Sequence, residues 1–252
     1  MTKLIIHIGM RKTATTTLQN YFRNNYFNNF NYIGAKHNIR NVSTKNYSLS
    51  DTLFPLIKKD KVNFISYENL IYFDYEYNIF SDYRSYQKKV IPTYKSIYKL
   101  NEELEKLKNK IDYKLDISII IVLREQSSFI ESYYKHNVKR KFTTKPFNKF
   151  LLDLDLDKFK YSYYINELDK LFKLKVFWYD DQVHYYKDIF KLLNIKYNIN
   201  TNIINNKGIN GDELKRIIPS YIDNIELFSD EEKKKLKLYF NEDNLKIKNI
   251  FE

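Results

Sequence analysis

Near its start the chain reads His7-Ile8-Gly9-Met10-Arg11-Lys12-Thr13-Ala14-Thr15-Thr16-Thr17-Leu18-Gln19, directly after the apolar run Leu4-Ile5-Ile6. An apolar run that gives way to a glycine, two cations and four hydroxyls, and then to helical spacing, has the makings of a strand, a tight loop and a helix N-terminus. Unpaired N–H groups and the positive end of the helix dipole make such a terminus a site for anions. A phosphate-bearing ligand is the chemistry this segment suits. A Walker loop, GxxxxGK[ST], would place glycine at 14 and lysine at 15. The chain has Ala14 and Thr15 there, and its lysine, Lys12, sits inside the loop three residues after Gly9.

A second segment, "IIIVLREQSSFIESYYKH", offers an independent check. A Walker-type nucleotidase usually ends such a strand in an aspartate that helps to hold Mg²⁺. This strand ends in Arg124, a cation where a metal ligand would be expected. Ser127 or Ser128 is placed to cap the helix that follows, which sets Ser132 about one turn into that helix and His136 one turn beyond it.

The first segment resembles the 5′-phosphosulfate loop of the sulfotransferases that use 3′-phosphoadenosine 5′-phosphosulfate (PAPS), particularly the bacterial, carbohydrate-sulfotransferase-like members with HIGxxKTGTTxLQ. Ala14 is a departure, since glycine is common there; it keeps the side chain small at some cost in backbone freedom. The resemblance implies that Arg11, Lys12, Thr13, Ala14, Thr15, Thr16 and Thr17 surround the 5′ end of the nucleotide. It also implies that Arg124 and Ser132, eight residues apart, take the 3′-phosphate. "NNKGING" is similar to the late basic loop of the family that closes over that phosphate, with Lys207 as the cation and Gly208 allowing close backbone approach. The tail "YFNEDNLKIKNIF" is similar to the helix end of bacterial members. The implied co-substrate is PAPS, the implied product 3′,5′-ADP, and the implied acceptor a hydroxyl on a glycan or glycan precursor.

Sulfuryl transfer should resemble phosphoryl transfer, in line and with negative charge building on the bridging oxygen of the leaving phosphate. Lys12 and the loop N–H groups suit the stabilisation of that charge. No metal is required by this scheme, since a sulfonate carries less charge than a γ-phosphate. The acceptor must lose a proton, which calls for a general base. Glu68, after the strand in "FISYENL", is the first choice, because related glycan sulfotransferases carry a catalytic glutamate after the corresponding strand. His7, His37 and His136 compete for the role. His7 reads mainly as a buried, hydrogen-bonded strand residue, and His136 as a residue lining the site. The four histidines show no metal spacing.

The elements that must position these residues follow from periodicity. Lys3 to Ile8, Val62 to Tyr67, Ile117 to Leu123 and Val176 to Tyr179 read as strands, and Thr16 to Phe30 has helical spacing. A charged helical excursion is expected around 82–110, and "DEEKKKLKLYF" reads as a solvated helix face. "WYDDQ" offers Asp180 and Asp181 as helix caps. Near-uniformly apolar strands separated by helices predict an α/β fold with a P-loop-like central parallel sheet flanked by helices, formed by residues 1–252 as one domain.

Composition sets the outer limits. With 43 Lys and Arg against 31 Asp and Glu the net charge is +12, which favours anionic ligands. The absence of cysteine excludes disulfides and thiol chemistry. The apolar stretch before Arg11 and Lys12 is too short for a signal peptide or membrane anchor, so the chain reads as cytoplasmic, with no membrane span. A nucleotide kinase using ATP and Mg²⁺ is the alternative enzyme. A nucleic-acid binder is the non-enzyme alternative, disfavoured because the lysines are dispersed and no nucleic-acid motif is present.

Overall fold

The computed structural model describes residues 1–8, 13, 15–25, 27–40, 42, 44–67, 70–71, 94–139, 143, 145–179, 182–196 and 229–251. Five strands, β1 (Thr2–His7), β2 (Phe30–Ile33), β3 (Val62–Ser66), β4 (Leu115–Leu123) and β5 (Lys173–Trp178), form one sheet in the order β2-β3-β1-β4-β5. Every pairing is parallel. The expected α/β fold with a central parallel sheet is therefore the observed one. Four of its strands coincide with the apolar runs in the sequence.

β2 departs from the sequence reading. The helix expected over Thr16 to Phe30 is α1 (Thr15–Asn24), and Phe30 opens a strand instead. The paired asparagines Asn24 and Asn25 have low helix propensity and stop the helix, while a four-residue edge strand is too short to show alternation.

One face of the sheet is covered by α1 and α7 (Gln182–Leu192). Ile5, Phe30, Phe64, Ile120 and Val122 from the strands pack with Leu18 and Phe22 of α1 and with Tyr185, Tyr186, Ile189 and Phe190 of α7. Phe22 is the hub, its ring lying 5.0 to 5.2 Å from those of Phe30, Phe64 and Phe190. Burial of such a side chain contributes roughly 1.5–3 kcal/mol. The alternate row, Leu4, Ile6, Ile65, Ile119 and Ile121, is also fully buried, so both faces are shielded and the central strands can be apolar throughout.

α3 (Tyr94–Lys110) occupies the later part of the expected excursion, and 82–93 lie outside the described residues. Its Ile97, Leu100, Leu104 and Leu107 form a buried stripe at helical spacing. Glu103, buried on the same helix, accepts from the Ser50 N–H at 3.0 Å and the Ser48 hydroxyl at 3.1 Å, at the start of α2 (Leu49–Leu53). Burial pushes its carboxyl upward, but these bonds and the Lys106 ammonium outweigh burial and hold it at about 2.

The described contacts gather into two compact units. One holds the sheet with α1, α2, α3 and α7; the other holds α4 (Gln126–Lys139), α5 (Phe147–Leu152) and α8 (Asp230–Phe251). α6 (Ser162–Leu171) begins in the second unit and ends in the first. No helix among the described residues is long and apolar enough to cross a membrane.

The second unit is tied together by Asp243. This buried carboxylate on α8 accepts from the Tyr161 N–H at 2.7 Å, the Ser162 N–H at 3.1 Å, the Gln126 side-chain amide at 3.0 Å and the Ser162 hydroxyl. It thereby caps the start of α6 from another helix, where negative charge also meets the helix dipole. Asp243→Ala leaves those buried donors without an acceptor and should cost about 3 kcal/mol, read as a lower midpoint in urea unfolding. A loss below about 1 kcal/mol would show that the anchor lies elsewhere.

Candidate functional site

β1 has β3 on one side and β4 on the other, so strand order reverses at β1. In an open parallel sheet the crevice beyond the carboxyl ends of strands at such a reversal is where ligands bind. Three chain exits meet this edge: Ile8 after β1, Tyr67 after β3 and Arg124 after β4. The ladder continues past the strand ends, with the Ile8 N–H donating to Ile120 O at 2.9 Å and the Tyr67 N–H to His7 O at 3.2 Å. These bonds fix the direction in which the chain leaves β1.

Of the loop between β1 and α1, the structure describes Thr13 and the residues from Thr15 onward. Thr13 is fully buried, Thr15 is nearly so, and Thr16 and Thr17 are half-buried. The Tyr185 hydroxyl on α7 donates to the Thr13 carbonyl at 2.7 Å. Arg11, Lys12, Ala14, Glu68, Lys207 and Gly208 lie outside the described residues, as do Asp180 and Asp181.

Arg124 leaves β4 beside the end of β5. The Tyr179 N–H donates to Leu123 O at 2.7 Å, and the guanidinium carbon of Arg124 lies over the Tyr179 ring, 5.0 Å from its centroid. Such a contact is worth roughly 0.5–2 kcal/mol. Tyr179 in turn touches Tyr185, at 6.3 Å between ring centroids. A run of contacts therefore leads from Arg124 through Tyr179 and Tyr185 to the backbone of the loop. Sequence reasoning missed this run. The signal was present as "FWY", but its meaning depends on β5 lying next to β4, which periodicity does not reveal.

His7, the last residue of β1, has no exposed surface. Its Nδ1 lies 2.9 Å from the Ser66 hydroxyl at the end of β3, and Gln19 of α1 donates to that hydroxyl at 3.3 Å and to Ser66 O at 3.4 Å. Its Nε2 has no hydrogen-bond partner among the described residues. Burial holds its pKa down at about 3, which keeps the ring neutral. The strand residue foreseen from sequence is thus a buried polar peg. Its pKa is far from that of a base working near neutrality. The motif's terminal Gln19 acts on the same peg. His37 closes a local turn, its Nδ1 accepting from the Gly34 N–H at 3.1 Å.

In the second unit, α4 carries Ser132 and His136, both half-buried and four residues apart on one face of the helix. Ser132 lies nearly two turns from the helix start. The cap is not Ser127 or Ser128, as the sequence suggests, but Glu125. Its carboxylate accepts from the Ser127 N–H at 3.0 Å and the Ser128 N–H at 3.1 Å. A carboxylate with two acceptor oxygens satisfies both orphan donors and brings charge that the dipole favours, which a hydroxyl does not. The described residues thus bring Thr13, Tyr179, Tyr185 and Arg124 together in one unit, and Ser132 and His136 together in the other.

Among solved structures, the fold is similar to a crystal structure of a sulfotransferase from Alicyclobacillus acidocaldarius, with a TM-score of 0.53 and 12% identity over 95% of this chain and 91% of that one. At this identity the likeness is one of fold. No protein-family model matches the chain, and no curated protein does.

The buried imidazole gives a pH test. The folded chain keeps His7 neutral down to about pH 3, whereas the unfolded chain protonates it near 6.5. The unfolded state binds more protons between those values, so stability falls as pH falls, by up to about 1.4 kcal/mol per pH unit from this group. His7→Asn should show a correspondingly shallower loss of stability between pH 6.5 and 4 in urea titrations. Identical slopes in the two proteins would mean that His7 is not held neutral by the fold.

Proposed function

We propose that this chain is a PAPS-dependent sulfotransferase that acts as a single domain on a hydroxyl-bearing acceptor, a glycan or glycan precursor, in the cytoplasm. The observation that carries the reading is Arg124, a guanidinium seated on Tyr179 at the carboxyl end of the strand beside the loop-bearing β1. A cation there suits an anionic group of the ligand and is a poor neighbour for Mg²⁺. The "HIGMRKTATTTLQ" motif and the fold shared with a sulfotransferase support the same reading.

The residues present fit the co-substrate. Thr13 and Thr15 lie at the helix N-terminus beyond β1, where backbone N–H groups suit a 5′-phosphate, and Arg124 suits a second, 3′-phosphate. When bound, PAPS supplies an activated sulfuryl group. Arg11, Lys12, Thr13, Ala14, Thr15, Thr16 and Thr17 surround the 5′ end, with Lys12 meeting the charge that develops on the leaving oxygen. Arg124 and Ser132 take the 3′-phosphate by the family pattern, and Lys207 and Gly208 close over it. Glu68 accepts the acceptor's proton, and His136 lines the site. No metal ion takes part in this scheme.

The test is nucleotide discrimination in a chelating buffer, measured by titration calorimetry. Wild-type protein should bind 3′,5′-ADP about tenfold or more tightly than 5′-ADP, because a charge-assisted phosphate contact is worth roughly 1.5–3 kcal/mol. Arg124→Ala should erase that preference. Equal affinities in the wild type, or a preference for ATP that requires Mg²⁺, would replace the proposal with a kinase-like reading.

A further inference from the structure

Tyr185 is a hydroxyl placed inside an aromatic core. Its ring is 2% exposed and sits among Leu18, Phe22, Ile189 and Phe190, with the Tyr186 ring 4.4 Å away. Phenylalanine would fill that volume without a polar atom to satisfy, and a buried hydroxyl is unfavourable unless it is hydrogen-bonded. The Tyr185 hydroxyl donates to the Thr13 carbonyl, 172 positions earlier in the chain, in the loop that opens the candidate site.

The direction of that bond has a chemical consequence. The loop's suitability for an anion depends on presenting N–H groups and withholding carbonyl oxygens, since a carbonyl aimed at a phosphate repels it. Tyr185 pulls the Thr13 oxygen toward α7. The same ring touches Tyr179, on which the Arg124 guanidinium rests, so one side chain abuts the supports of both candidate anion contacts.

We propose that Tyr185 is a positioning residue for the 5′-phosphate loop: its hydroxyl turns the Thr13 carbonyl away from the ligand and thereby sets the loop to receive the 5′ group. It does not touch the nucleotide. This inference rests on the functional reading above, and its test separates the two.

Tyr185→Phe keeps the ring and removes the bond, a loss that a folded domain of this size tolerates. Its affinity for 3′,5′-ADP should fall about fivefold, whereas its affinity for adenosine 3′-phosphate, which lacks the 5′ group, should stay within about twofold of wild type. Tyr164→Phe, which removes another buried hydroxyl, from α6, should leave both affinities unchanged. A merely structural role for Tyr185 would weaken the two ligands together, and that outcome overturns the inference. So does an unchanged affinity for 3′,5′-ADP in Tyr185→Phe when the wild type binds it well. Failure of the wild type to bind 3′,5′-ADP would overturn the functional reading, and this inference with it.

Discussion

The pairing of β1 with β3 on one side and β4 on the other is the constraint from which the remaining features follow. It places the most buried strand at the point where strand order reverses, and so sets the loop after β1 between the chain exits that follow β3 and β4. The register fixes which residues meet: His7 opposite Ser66 on one side and Ile120 on the other, with the ladder carried on by the Ile8 and Tyr67 N–H groups. A one-residue slip would turn His7 to the other face and part it from Ser66 and Gln19, which is why hydrophobic patterning and polar pairing specify the same arrangement.

Burial on both faces then makes every polar group at that edge costly unless it has a partner. The structure meets this demand with side chains reaching in from the covering helices. Gln19 of α1 serves Ser66, and Tyr185 of α7 serves Thr13. Arg124 rests on Tyr179 in the same unit. The low dielectric that holds His7 neutral would also strengthen a charged contact made at this edge, so the packing that stabilises the sheet and the electrostatics proposed for the site have one physical origin.

The parts legible in the sequence were those set by local pattern. β1 and β4 showed as uninterrupted apolar runs because both of their faces are covered, and the helix that starts at Thr15 followed from residue types alone. β2 was hidden by its length and edge position. The Glu125 cap was missed because a hydroxyl is the commoner cap and the spacing allowed either. The contacts from Arg124 to Thr13 could not be read, since they join residues from four places in the chain that only the strand order brings together. Asp243 illustrates the same limit: on paper it is one acid in a charged helix, and in the fold it is a buried acceptor that ties α8 to the starts of α4 and α6. The roles of Lys12 and Glu68 rest on the sequence motif and its resemblance.

The central claim is that the edge beyond β1 and β4 receives a nucleotide bearing both 3′- and 5′-phosphates without a metal ion. The most direct measurement is the thermal unfolding midpoint of the wild-type protein with 3′,5′-ADP or ATP, each with EDTA and with Mg²⁺. A ligand present at about 100 times its dissociation constant adds about 2.7 kcal/mol to stability, and for a chain of this size each kcal/mol raises the midpoint by roughly 2–4 °C. The account predicts a rise of several degrees with 3′,5′-ADP that EDTA does not diminish, and a much smaller one with ATP. Equal shifts with the two nucleotides, or a shift that appears only with Mg²⁺, would contradict it.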